Sequence, residues 1–173
     1  MPRSFDMTAE YQGSVEDVFR AFADREYWLA RLADSGASES ALESMRVGGE
    51  SGNDGTVEVV ILQVIHRQHL PGLITQLHRG DLGVRRKETW SPITDGTATA
   101  SLAGEIVDAP ATLSGTATLV PVAPGGSRVE FQASVQVRVP LIGGKIENVI
   151  GAQLAALVEA EQRFTANWIA AHT

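Results

Sequence analysis

A strictly alternating strand that runs directly into a long amphipathic helix is the feature that most limits what this chain can fold into. From Arg128 to Val139, one face carries Val129, Phe131, Ala133, Val135, Val137 and Val139. The other carries Glu130, Gln132, Ser134, Gln136 and Arg138. A period of two describes a strand in an antiparallel sheet with one buried and one wetted face. Pro140 then ends the ladder, since it has no N–H to donate, and its fixed φ suits a first helical position. Beyond it Ile142, Ile146, Val149, Ile150, Leu154, Leu157, Val158, Phe164, Trp168 and Ile169 recur at helical spacing. A helix this long must lie along a large apolar surface, and the strands that precede it are the natural partner.

Upstream, Phe5, Met7, Ala9 and Tyr11 alternate with polar residues and predict a first strand over Ser4 to Tyr11. Gly13 breaks it. Ser14 with Asp17 resembles a capping box, and Val15, Val18, Phe19 and Phe22 form the stripe of a short helix over Val15 to Ala23. Asp24 caps a second helix through Trp28 and Leu32, ending near Ser35. Strands are then predicted at Leu42–Val47, Thr56–His66, Leu82–Trp90, Thr97–Ile106 and Thr112–Val120, separated by Gly-, Asp- and Pro-bearing turns. The stretch Leu73 to Leu77 is either a short helix or irregular. Two short helices, about six strands and a terminal helix make an α+β fold with the sheet curled around that helix. Residues 1–173 fit a single domain, which at this length buries roughly 70% of its unfolded surface.

The inward residues of two middle strands are small: Ala98, Ala100 and Gly104 in one, Gly115 and Ala117 in the other. Small residues facing a long helix either let it pack closely or leave a void for a ligand. The strand Thr56–His66 is apolar on both faces, which suits a central strand or a homodimer contact.

Composition narrows the chemistry. The formal net charge of −7 disfavours nucleic acid and anionic membranes as partners. The basic cluster Arg79, Arg85, Arg86 and Lys87 fits a solvated or edge-strand face. With no cysteine, disulfides, thiolate nucleophiles and cysteine-ligated metals are excluded. The start has no signal-peptide core, and no apolar run reaches the roughly 18 residues that cross a bilayer, so stable membrane insertion is not expected and the cytoplasm is the default location.

Three segments carry a resemblance to known proteins: SFDMTAEYQGSVEDVFRAFADREYW (4–28), RRKETW (85–90) and VPLIGGKIENVIGAQL (139–154). Through them the chain resembles DUF2505, an actinobacterial family within the START/Bet v 1-like (SRPBCC) helix-grip superfamily. The last segment is similar to the P-x-x-G-G-K-x-E stretch of several small lipid-binding and cyclase-like families. The resemblance implies an antiparallel sheet of about six to seven strands gripping the C-terminal helix, with an apolar cavity between them. It also implies ligands such as lipids, sterols, polyketides or plant hormones, and cyclase or aromatase activity in a minority. The superfamily has no shared catalytic motif to carry over.

Individual residues add little chemistry. His66 and His69 fall on opposite faces of an extended strand, no carboxylate set completes a zinc site, and no metal or cofactor is expected. His172 lies next to the terminus, where fraying is common. Glu161 interrupts the apolar stripe between Leu157 and Phe164. It either points at the sheet, with a raised pKa or a buried partner such as an arginine, or sits at the helix boundary in water. Val158 and Thr165 favour the boundary. Gly143 and Gly144 suit a turn or a close backbone approach. Serine-nucleophile, Rossmann and P-loop signatures are absent.

These readings predict a non-catalytic carrier or sensor holding a small apolar molecule such as a lipid, isoprenoid or polyketide. Its cavity candidates are Met7, Tyr11, Trp90, Ala100, Ala117, Phe131, Ile150, Leu154, Leu157 and Glu161, with Glu161 and Trp90 orienting the ligand and no residue assigned as catalytic. A cyclase- or aromatase-like enzyme using Glu161, Tyr11, Arg86 or Glu88 is the alternative. An interaction module with a closed cavity is the third.

Overall fold

The computed structural model describes residues 2–172, apart from the side chain of Leu77. Its elements run β1 (Arg3–Tyr11), α1 (Val15–Phe22), α2 (Arg25–Asp34), β2 (Glu39–Val47), β3 (Val57–Ile65), a single 3₁₀ turn (Arg67–His69) and α3 (Gly72–Leu77). They continue with β4 (Leu82–Trp90), β5 (Ala98–Ile106), β6 (Ala111–Val122), β7 (Gly126–Val137) and α4 (Gly143–Ala171). The strands form one seven-stranded antiparallel sheet in the order β1-β7-β6-β5-β4-β3-β2. It curves around α4, giving the helix-grip, START/Bet v 1-like architecture.

The topology follows from the local signals. Consecutive strands from β2 to β7 pair as a meander, while β1 closes on β7 with Met7 opposite Phe131 and Ala9 opposite Val129. The excursion from β1 at one edge to β2 at the other is spanned by α1 and α2. Their starts are fixed by side chains. Ser14 Oγ accepts the Asp17 N–H while Asp17 Oδ2 accepts the Ser14 N–H, and Asp24 Oδ1 accepts the Glu26 N–H. Val129, Ala133, Val135 and Val137 are buried on the concave face of β7, as its alternation requires.

The approach to α4 differs from the sequence reading. Pro140 is not the first helical residue; Val139 to Ile142 make a turn, with Gly143 N–H donating to Val139 O, and the helix starts at Gly143. Leu141 sits there at φ +72° with its side chain wholly in solvent. Gly143 is required by proximity, because a Cβ at that position would lie 2.6 Å from Val137 O. Glu147 is fully buried, and its Oε2 accepts the Val137 N–H at 2.9 Å, supplying an acceptor at the end of β7. The P-x-x-G-G-K-x-E segment thus forms a strand-to-helix joint.

The main core gathers Trp28, Tyr27, Phe22, Val18, Trp90, Val57, Val59 and Leu119 beneath α1, α2 and the C-terminal half of α4. Ala98, Ala100 and Ala117 belong to this cluster, so at those positions the small residues serve close packing. Gly151 does the same for the helix: the Phe5 ring lies where its Cβ would be. On β3, Val57, Val59 and Ile61 point inward, and Val60, Leu62 and Val64 are half-buried on the outer face. No described helix is long and apolar enough to cross a membrane.

Candidate functional site

α4 packs chiefly on β1 and β7, and the concave faces of β4, β5 and β6 meet it across a small cavity. Leu154, Leu157 and Val158 of α4 form one wall; Leu102, Leu113 and Phe131 face them from the sheet. The cavity volume is about 70 Å³. That holds ordered water or one small group, and is well below the roughly 300–1,000 Å³ of an ordinary ligand pocket.

The lining turns polar where α2, β4 and α4 converge. Glu161 Oε2 accepts from Arg31 Nη2 at 2.5 Å and Nε at 3.1 Å, and from Arg86 Nη2 at 2.9 Å. Glu88 Oε2 stands 4.0 Å from Arg31 Nη2, and Glu88 Oε1 accepts from Trp90 Nε1 at 3.3 Å. Arg86 Nη2 also reaches Gln63 Oε1 at 3.3 Å, whereas Arg86 Nε is buried and has no partner among the described residues. Two guanidiniums thus face two carboxylates, a formally neutral cluster set into the cavity wall.

A hydrogen-bonded chain ties the cluster to the core. Thr165 Oγ1 donates to Glu161 O at 2.7 Å, so the Tyr27 hydroxyl, 2.6 Å away, donates to Thr165 Oγ1. Arg31 Nη1 in turn donates to Tyr27 Oη at 3.4 Å, and the Arg31 guanidinium lies 4.5 Å from the centre of the Trp28 ring.

Burial alone would raise the Glu161 pKa, but Arg31 and then Arg86 outweigh it and hold the carboxyl at about 2. Arg31 is likewise opposed by burial and kept charged by Glu161, Tyr27 and Glu88. Burial pushes the Tyr11 and Tyr27 phenols up.

Of the candidates named from sequence, Met7, Tyr11, Trp90, Phe131, Leu154, Leu157 and Glu161 line the cavity. Ala100 and Ala117 lie in the adjoining core, and Ile150 packs with a second apolar cluster around Val135, Val137 and Ile146. Two readings need correction. Glu161 is not a boundary residue in water; its side chain is 19% exposed and engaged by two arginines. Arg86 is not part of a solvated or edge face, because β4 is interior to the sheet and its even-numbered residues point toward α4. Arg85 and Lys87 do face outward, against Glu43, Glu105 and Glu58.

Arg31 went unrecognised as a site residue. Its signal was positional: it lies four residues after Tyr27 and three after Trp28, on the face α2 buries. Glu39 and Asp81 were also missed beside His66, their ligating atoms falling within 4.8 Å of one another. His66 Nε2 contacts Glu39 Oε2 at 3.1 Å and Asp81 Oδ1 accepts the Arg67 N–H, so these groups join the ends of β2, β3 and β4. His172, expected to fray, stacks on Trp168 at 3.8 Å.

Comparison with known proteins places the chain. The sequence pattern described as "Protein of unknown function (DUF2505)" matches residues 6–169. The chain belongs to the DUF2505 family. An uncharacterized protein of Mycobacterium tuberculosis (strain H37Rv) is 61% identical over 170 residues, 98% of each chain. Among solved structures, TTHA0849 from Thermus thermophilus superposes with a TM-score of 0.63 at 12% identity, covering 99% of both chains. A START superfamily protein from Mycobacterium smegmatis gives 0.55 at 13% identity, covering 98% of this chain and 99% of its own. At such identities these two structures establish the shared fold alone.

Proposed function

We propose that this DUF2505 protein binds one small, largely apolar molecule between the sheet and α4, and acts as a non-catalytic carrier or sensor with residues 1–173 as one domain. The observation that carries the reading is a cavity walled by Leu102, Leu113, Phe131, Leu154 and Leu157, with a polar cluster set at one side. Apolar walls supply binding at roughly 25 cal/mol per Å² buried, and a few polar groups fix orientation. The START-like fold, whose members generally bind small apolar ligands, supports it.

A cavity of about 70 Å³ must widen to take such a molecule. We place that widening at the apolar end, between Leu154 and Leu157 of α4 and Leu102 and Leu113 of the sheet, because the Glu161–Arg86 pair ties α4 to β4 at the polar end.

A cyclase-like enzyme would need an acid or base poised near neutrality. Glu161 is held at about 2 and the Tyr11 phenol is pushed up, both away from that range, so the ionisable cluster suits orientation better than proton transfer.

Titration with Nile red, a neutral apolar dye, tests the reading. Saturable uptake by the native protein that Leu157→Trp abolishes, and Leu29→Trp on the exposed face of α2 leaves intact, supports it. Equal uptake by both variants, or none by the native protein, rejects it.

A further inference from the structure

We infer that the ligand carries a neutral oxygen head, a hydroxyl or ketone rather than a carboxylate, and that this oxygen docks on Arg86 Nε. The inference rests on the apolar-ligand reading above and narrows it.

Arg86 lines the cavity with its Nε buried and without an acceptor, while Nη2 is committed to Glu161 and Gln63. A buried donor left unsatisfied is costly, so an oxygen that reaches it is strongly favoured over an alkyl group. Charge then selects among oxygens. Arg31 and Arg86 are already balanced by Glu161 and Glu88, with Arg31 Nη2 2.5 Å from one carboxylate and 4.0 Å from the other. A ligand carboxylate would add an uncompensated negative charge beside two others in a poorly solvated site. A carbonyl or hydroxyl oxygen accepts from Nε without changing the balance.

Glu88 separates the two neutral heads. Among the described residues its carboxylate takes a single hydrogen bond, from Trp90 Nε1, and it stands two residues from Arg86 on the same face of β4. A hydroxyl can accept from Arg86 and donate to Glu88; a ketone can only accept.

The test holds the chain constant and varies the head: decan-1-ol, decan-2-one, decanoate and decane, titrated calorimetrically at pH 7.5 into the native protein and Arg86→Lys. Lysine keeps a positive charge near Glu161 but lacks the guanidinium Nε–H. The native protein should bind decan-1-ol about tenfold or more tightly than decane and decanoate, with decan-2-one between. Arg86→Lys should lose most of the preference for the alcohol over decane, whatever its affinity for decane itself. Decanoate equal to or tighter than decan-1-ol overturns the inference, as does an undiminished preference in Arg86→Lys. Equal binding of all four refutes the headgroup while the carrier reading stands; binding of none refutes both.

Discussion

Replacing Glu161 with leucine should destabilise the protein far more than losing one partly exposed carboxylate would suggest. The substitution preserves bulk but leaves Arg31 and Arg86 facing each other with their shared acceptor gone. Breaking a buried ion pair by removing one partner costs about 3–5 kcal/mol. The lowering of the Glu161 carboxyl from 4.5 to about 2 sets its interaction with the cluster, net of burial, at about 3 kcal/mol. For a chain of this size that corresponds to a fall of roughly 10 °C in melting temperature. Urea denaturation at pH 7 measures the free energy directly. The companion variant Arg31→Met, Arg86→Met, Glu88→Gln, Glu161→Leu removes the charges together and should recover at least half of the loss, because burying ions carries its own penalty. A loss below about 1 kcal/mol in the single variant would show the cluster to be energetically inert. A loss in the fourfold variant as large as in the single one would refute the claim that stranded charge causes the damage.

Other substitutions probe other parts of the molecule. Because the folded carboxyl titrates below its unfolded counterpart, the Glu161 contribution is complete above about pH 4.5 and disappears as pH falls toward 2; Glu161→Leu should flatten the stability profile in that window, and an unchanged profile counts against the pairing. Gly151→Ala, which in an open helix would gain up to about 1 kcal/mol, should instead cost about 1–3 kcal/mol through the Phe5 ring, and Phe5→Ala in the same chain should make it neutral or favourable. Ser14→Ala should cost about 1 kcal/mol by opening the capping box, read from the urea midpoint. Glu147→Ala, stranding the Val137 N–H, should cost about 1–3 kcal/mol or more, whereas Glu147→Gln, which keeps an acceptor there, should cost less.

Local signals made most of the fold legible. The alternation through Val129–Val137, the Ser14/Asp17 box and the Asp24 cap each depend on residues within a few positions of one another, and each element stands where that logic puts it. The joint at Pro140 was misjudged because its geometry is set from outside: the close approach of Gly143 to Val137 and the buried Glu147 delay the helix by three residues. The polar cluster was harder still. Arg31, Arg86 and Glu161 come from α2, β4 and α4, and a single arginine on an apolar face looks like an interruption until its acceptor is found on another element. His66 likewise gains Glu39 and Asp81 only when β2, β3 and β4 align. Periodicity predicts which way a residue points, but not what another segment will place opposite it.

We propose that the space between sheet and α4 belongs to a small apolar molecule held over the Arg31–Glu161–Arg86 cluster. Native mass spectrometry of the protein purified from its own host, followed by solvent extraction, tests it most directly. The expected result is a near one-to-one adduct that extracts as an apolar compound bearing a hydroxyl or ketone and is absent from Leu157→Trp. A mass equal to the bare chain, unaltered after incubation with host lipid extract, would contradict it.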